Sequence, residues 1–235
     1  IANENFEESL DLANACEDAS HFDFVSVGCS GTSVIDSVYH TGKKGFYLAP
    51  NTTCTQDRPI TGCNQKINAW SVWGLNCFDC IGMFAPDKNP YSTISGWVYM
   101  GKYNALSYDG PEIMIEYDGS PQDYTFTPSG PIIDGWQLIE GKFFVPSGST
   151  TLYVSLKTGN EYAVFDDIRI HPFEGNMKTF VLDKQEKRLR AELDENNFAT
   201  FYEYDEEGRL TRIKRETETG VMTVQESRGS LIKQP

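Results

Sequence analysis

The chain has 235 residues, 39% hydrophobic and 13% aromatic, with a formal net charge of −14, enough for one large or two modest domains. The charge is uneven: residues 178–235 hold eleven Lys/Arg against twelve Asp/Glu, whereas residues 1–177 hold nine against 22 and carry −13 of the total. So acidic a body argues against general nucleic-acid binding, whose affinity comes largely from neutralised phosphates, and no apolar run approaches the roughly 20 residues that span a bilayer.

The chain begins at Ile1 without an initiator Met or a basic-plus-apolar leader, and so reads as a piece of a longer protein. Phe6 and Glu7 read as a first strand entering a core. Residues 12–33 read as loop, with one short strand near Phe22 to Val27. All six cysteines, Cys16, Cys29, Cys54, Cys63, Cys77 and Cys80, lie in the first 80 residues, in Asn-, Thr-, Gly- and Asp-rich stretches. An even number in such sequence points to disulfides in an exported protein. Local pairing, Cys16 with Cys29, Cys54 with Cys63 and Cys77 with Cys80, is the expectation. Zinc is the rival: Cys77-Phe-Asp-Cys80 has the spacing of half a site, but Cys54 and Cys63 are too far apart for the usual other half.

Ser37 to Leu48 reads as a turn followed by an alternating strand, and Pro50 to Asn68 as a polar, turn-rich loop held by Cys54 and Cys63. Trp70, Trp73, Tyr91, Trp97, Tyr99 and Trp136 are the aromatics that could stack on sugar rings, and Trp70 and Trp73, in a loop rich in Gly, Asn and Cys, are the better candidates. Ser92–Met100, Glu112–Tyr117, Trp136–Val145, Thr151–Leu156 and Tyr162–Ile170 read as strands separated by Pro, Gly, Asp and Ser turns. Turns this frequent, with almost no helical periodicity, imply a two-sheet β-sandwich. In the last of these strands, period two places Val164, Asp166, Ile168 and Ile170 on one side and Phe165, Asp167 and Arg169 on the other. Asp166 then points inward and needs hydrogen bonds or a cation, because an unpaired buried charge is costly.

The order Asn5-Phe6-Glu7, His40-Thr41-Gly42-Lys43, Ser95-Gly96-Trp97-Val98, Gly135-Trp136-Gln137 with Val145-Pro146-Ser147-Gly148, and Phe165-Asp166-Asp167-Ile168 resembles the jelly-roll sandwiches of carbohydrate-binding modules and galactose-binding-like domains. The resemblance implies that Trp97 and Trp136 fill the core. It also implies a structural calcium held by Glu7, a backbone carbonyl near Gly42 or Lys44, and Asp166, oxygen ligands of the kind calcium takes. The other account of Asp166 is hydrogen bonding to nearby backbone or hydroxyl groups.

After Met177 the sequence changes character. Asp183, Asp194 and Asp205 recur every 11 residues, each behind a strand-like run and before a polar turn, the pattern of a β-meander. Glu218-Thr-Gly220 reads as a further turn before Val221–Val224, and Arg212 and Lys214 give the array charged edges. Tyr204-Asp205-Glu-Glu-Gly208-Arg209-Leu210 resembles the YD-repeat motif of Rhs-type proteins. The passage from Phe165 to Leu210 resembles the C-terminal region of giant bacterial surface proteins exported by type IX secretion.

The expected architecture is therefore all-β, with a jelly-roll sandwich over residues 1–174 and a YD-repeat-like hairpin tail over 175–235. The expected role is a non-catalytic C-terminal module of a cell-surface protein associated with the bacterial outer membrane, binding surface or outer-membrane proteins or the export machinery. The alternative is a lectin-like, glycan-binding module. No nucleophile elbow, zinc-protease motif or phosphate loop is present, and His21, His40 and His171 sit in unrelated contexts.

Overall fold

The computed structural model describes residues 2–4, 29–59, 91–102, 105–117, 123–144, 151–183 and 186–227, with 2–4, 56–59 and 151 described by backbone only. Every regular element among them is a strand. The larger sandwich sheet runs β2 (Thr32–Ile35), β3 (Gly45–Leu48), β11 (Ala163–Pro172), β5 (Tyr91–Tyr99), β9 (Trp136–Phe144) and β8 (Pro128–Ile133), with β1 (Ala2–Glu4) also paired to β11. Facing it is a sheet of β4 (Thr53–Pro59), β10 (Thr151–Lys157), β6 (Glu112–Tyr117) and β7 (Tyr124–Phe126). A third sheet is a meander of β12 (Thr179–Leu182), β13 (Leu189–Leu193), β14 (Ala199–Tyr204), β15 (Leu210–Thr217) and β16 (Gly220–Glu226).

Alternation explains how the two sandwich sheets meet. Ile113, Ile115 and Tyr117 of β6, and Leu152, Val154 and Leu156 of β10, face Phe46, Leu48, Ile94, Val98, Ile139 and Phe143 in one buried cluster. Asp134 (φ 46) and Gly135 (φ 89) form the two-residue connection between β8 and β9, where consecutive left-handed residues favour an Asp-Gly turn.

In β11 the period breaks. Asp166 pairs with Trp97 and Arg169 with Ser95, so three steps along β11 match two along β5, and Asp167 adopts φ 49. This is a β-bulge, which resets the facing of every later side chain. Ala163 and Phe165 enter the sandwich core before it, and Ile168 and Ile170 after it, while Val164 joins a different cluster. The expected grouping of Asp166 with Ile168 and Ile170 is therefore corrected: the extra residue separates them.

Two loop expectations also change. Thr32–Ile35 is a strand, and so is Thr53–Pro59, which pairs along β10 and buries Cys54. Pro59 closes that strand on a sheet edge, where its missing N–H is tolerated. Cys29 is bonded to Cys54, with Cα atoms 5.5 Å apart. This overturns the pairings of Cys16 with Cys29 and of Cys54 with Cys63. The bond joins the chain ahead of β2 to β4 of the facing sheet, and sequence distance gives no guide to such neighbours. Cys16, Cys63, Cys77 and Cys80 lie outside the described residues, as does the Phe6–Glu7 strand. The bond suits an oxidising, extracellular setting, and among the described residues no helix is long and apolar enough to cross a membrane.

The disulfide closes a loop with a sequence separation of 25. Replacing Cys29 and Cys54 together by Ala should lower the unfolding free energy by about 2–4 kcal/mol, measured by denaturant titration.

Candidate functional site: the cleft between sandwich and hairpin sheet

The third sheet lies against the outer face of the larger sandwich sheet. There Trp97, Ile133, Trp136 and Val164 form a second buried cluster, and Phe198 and Val221 of the third sheet pack on it. The seating is polar as well as apolar. The Trp97 indole N–H donates to the Asn197 carbonyl at 2.8 Å, the Asn197 amide donates to the Asp167 carbonyl at 3.1 Å, and Arg169 donates to the Asp194 carbonyl at 2.8 Å. Lys43 reaches Asp183 at 2.9 Å.

The sequence repeat builds the turns that make these contacts. Each repeated Asp donates its N–H across its hairpin: Asp183 to Arg188, Asp194 to Phe198 and Asp205 to Arg209. Each carboxylate accepts N–H groups of its own turn, from Glu186, from Asn196 and Phe198, and from Arg209 respectively. A left-handed residue sits near the end of each turn, Lys187 (φ 55), Asn197 (φ 67) and Gly208 (φ 81), as a type I turn followed by a bulge residue requires. The local frame is shared, but the docking is not. The Asp194 turn is seated against the β11 bulge, and Asp183 takes the sandwich lysine.

His40 stands at the centre of the junction. Its ring nitrogens lie 2.8 Å from Asp167 of the sandwich and 3.0 Å from Glu216 of the hairpin sheet. Its ring stacks on Trp97 with centroids 4.5 Å apart. Glu216 also accepts the Ala199 N–H at 2.9 Å, and Asp167 accepts the Thr41 hydroxyl at 2.8 Å. Burial alone would push the imidazole pKa down, but the Glu216 charge and the hydrogen bonds to Asp167 and Glu216 outweigh it and raise the value to about 10. His40 is therefore an imidazolium clamped between carboxylates of both units.

Beside it opens a cleft of about 380 Å³. The sandwich contributes Tyr39, His40, Thr41, Gly42, Ile133, Asp134 and Trp136, and the hairpin sheet contributes Arg190, Phe201, Tyr202, Glu203, Lys214, Glu216 and Val221. Glu203 holds Lys214 at 2.5 Å and Arg212 at 3.0 Å.

The structure scatters the residues expected from sequence. Glu7, Trp70 and Trp73 lie outside the described residues. Tyr91 is described and exposed, but it pairs with Phe144 at the opposite end of the β5–β9 ladder from the Tyr99–Trp136 pair, about 26 Å away along the strand. One of its ring faces is covered by the Lys142 ammonium, 4.2 Å from the centroid, so that face is not available to a sugar. Gly42 (φ 67) lines the cleft, and Lys44 precedes β3.

Asp166 is fully buried, and its carboxylate accepts the N–H groups of His40 at 2.8 Å, Thr41 at 3.2 Å and Asp167 at 2.8 Å. Burial, and then the Asp167 charge, hold its pKa well above the ordinary carboxylate range. These three donors meet the carboxylate that the calcium expectation would use, and Glu7, its partner in that expectation, lies outside the described residues. Among the described residues, no group of three or more His, Cys, Asp or Glu could hold a metal. The hydrogen-bond account of Asp166 has its partners in place.

Sequence reasoning overlooked Tyr39, Arg190, Phe201, Tyr202, Lys214 and Glu216 as site residues. The signal was the repeat itself, whose Phe201-Tyr-Glu-Tyr run reads as hairpin packing until its neighbours in space are known.

The linkage of His40 has a definite sign. With its folded pKa raised from about 6.5 to about 10, the stabilisation from its proton is full below pH 6.5 and is lost as pH rises through 10. His40→Gln should cost about 3–5 kcal/mol, the range for breaking a buried ion pair. It should also flatten the alkaline side of the stability–pH curve obtained by denaturant titration at successive pH values. Under the hydrogen-bond account of Asp166 chelator should leave the melting temperature unchanged, whereas a bound structural calcium would make it fall.

No family model matches the chain, and no curated protein matches it. Solved structures of similar shape include a family 16 carbohydrate-binding module (15% identity, 61% of this chain and 86% of that chain, TM-score 0.36). A family 22 xylan-binding domain from Paenibacillus barcinonensis is similar over 74% of this chain and 94% of that chain, at 13% identity and a TM-score of 0.40. A family 6 module from a Cellvibrio mixtus lichenase, in complex with cellotriose, is similar over 74% and 98%, at 15% identity and a TM-score of 0.38. At TM-scores this low, the description of the fold rests on the strand pairing given above.

Proposed function

We propose that the chain is a non-catalytic carbohydrate-binding module whose glycan occupies the cleft between the sandwich and the hairpin sheet. The cleft itself carries this reading. It combines aromatic surfaces from Tyr39, Trp136 and Phe201 with polar groups held in place by ion pairs and hydrogen bonds. A sugar presents apolar C–H faces edged by hydroxyls, and aromatic walls with a few fixed polar groups match both. The polar frame favours binding over hydrolysis. A glycosidase needs two carboxyls available on either side of a scissile bond, whereas Glu216 is committed to His40 and Ala199, and Glu203 to Lys214 and Arg212.

A second reading is attachment of a large exported surface protein through a partner at the outer membrane. Its support is the hairpin sheet, which has YD-like turns and leaves Phe180, Leu182, Met222 and Val224 exposed. The two readings separate experimentally. Phe180→Asp with Val224→Asp should release the protein from its native cell surface while leaving glycan binding intact if the second holds.

Tyr39 is 42% exposed and lines the cleft, so Tyr39→Ala should weaken glycan affinity by about tenfold while shifting stability by no more than about 0.5 kcal/mol. Calorimetric titration with xylo- and cello-oligosaccharides, the glycans named for the similar structures, together with a broad glycan array, makes the measurement. Absence of binding across both sets would sink the glycan reading.

A further inference from the structure

We infer that the sugar seated in the cleft carries a carboxylate, as a uronic acid does, and that Arg190 and Lys214 receive it. The inference rests on the glycan reading and narrows its ligand class. The carboxylates of the hairpin wall have their partners already. Glu216 accepts from the His40 ring at 3.0 Å and from the Ala199 N–H at 2.9 Å. Glu203 is shared by two cations, Lys214 and Arg212. Asp183, just behind Arg190, is likewise shared, by Arg190 at 3.0 Å and Lys43 at 2.9 Å. Arg212 also meets Glu226 at 3.4 Å, and Arg190 also meets Glu186 at 3.7 Å.

What the wall retains is donor capacity on Arg190 and Lys214, the two cations that line it. Arg190 commits one terminal nitrogen to Asp183 at 3.0 Å and to Glu186 at 3.7 Å, which leaves its other terminal nitrogen, and its side chain is 31% exposed where it lines the cleft. A guanidinium with donors to spare matches a planar carboxylate better than a hydroxyl, because it can give two parallel charge-assisted hydrogen bonds. Asp134, exposed in the β8–β9 turn, is the carboxylate the sandwich contributes to the lining. Its charge disfavours a second anionic group nearby.

The rest of the molecule sets the limit on that charge. A net charge of −14 repels polyanions at long range, so an isolated carboxylate on an otherwise neutral glycan is the form that the local donors can capture. The cleft volume of about 380 Å³ lies near the lower end of the roughly 300–1,000 Å³ that ligand sites span, which suits a chain end rather than a long polymer.

Calorimetric titration of the intact chain with glucuronate- and galacturonate-terminated oligosaccharides, their methyl esters and the neutral parent sugars tests this. The acids should bind about tenfold or more tighter than their esters, the size of one charge-assisted contact. Arg190→Gln and Lys214→Gln should each reduce the ratio of acid to ester affinity. Equal binding of acid and ester by the wild-type chain overturns the inference and leaves the glycan reading standing. Binding to none of the acids, esters or neutral sugars, or to the array, overturns both. The ester comparison needs no variant, so a folding defect in Arg190→Gln, which also releases Asp183, does not obscure it.

Discussion

A protonated imidazole held between two carboxylates, one from each unit, is the interaction on which this structure depends. His40 links Asp167 on the sandwich to Glu216 on the hairpin sheet, and all three are buried. Buried charges are tolerated only with partners and hydrogen bonds. Here each has them, from Thr41 to Asp167, from Ala199 to Glu216, and from the Trp97 face to the imidazole ring. Removing either unit would strand charge on the other. The sandwich and the hairpin array therefore behave as one folded object, although their sequences look independent.

The bulge in β11 makes the geometry possible. One extra residue, with Asp167 at φ 49, sends two successive carboxylates toward the His40 loop. Asp166 satisfies itself on backbone N–H groups, which fixes the loop at His40 and Thr41. Asp167 is then positioned for the ring. The same bulge offers its Asp167 carbonyl to Asn197, so the second of the three repeated turns seats there. The cleft follows from this docking. His40 and Glu216 line it, and its two walls belong to different units, so any ligand that touches both also holds them together.

Much of the fold is legible in the sequence because it obeys local rules. The alternating strands and the Asp-centred turns are specified by side-chain period and turn chemistry within a few residues. What period two cannot show is its own interruption, and the bulge overturned the facing expected for Asp166. Cys29 and Cys54 pair across the sandwich, a relation set by sheet topology and not by separation along the chain. The site is the least legible part for the same reason. His40 and Glu216 are 176 residues apart, and neither belongs to a local pattern that announces the other. Trp97 and Trp136 are buried as expected, yet the hairpin sheet packs on the cluster they share and the sandwich interior lies on the other side.

The charge state of His40 is the quantity to measure. Nitrogen and carbon chemical shifts of a histidine-labelled chain, followed by NMR from pH 6 to 11, report it directly. The account predicts that one of the three imidazoles, assigned to His40 by its loss in His40→Gln, remains protonated through neutral pH and titrates near 10. A His40 ring already neutral at pH 7 would contradict the account, since two buried carboxylates would then face each other across an uncharged ring.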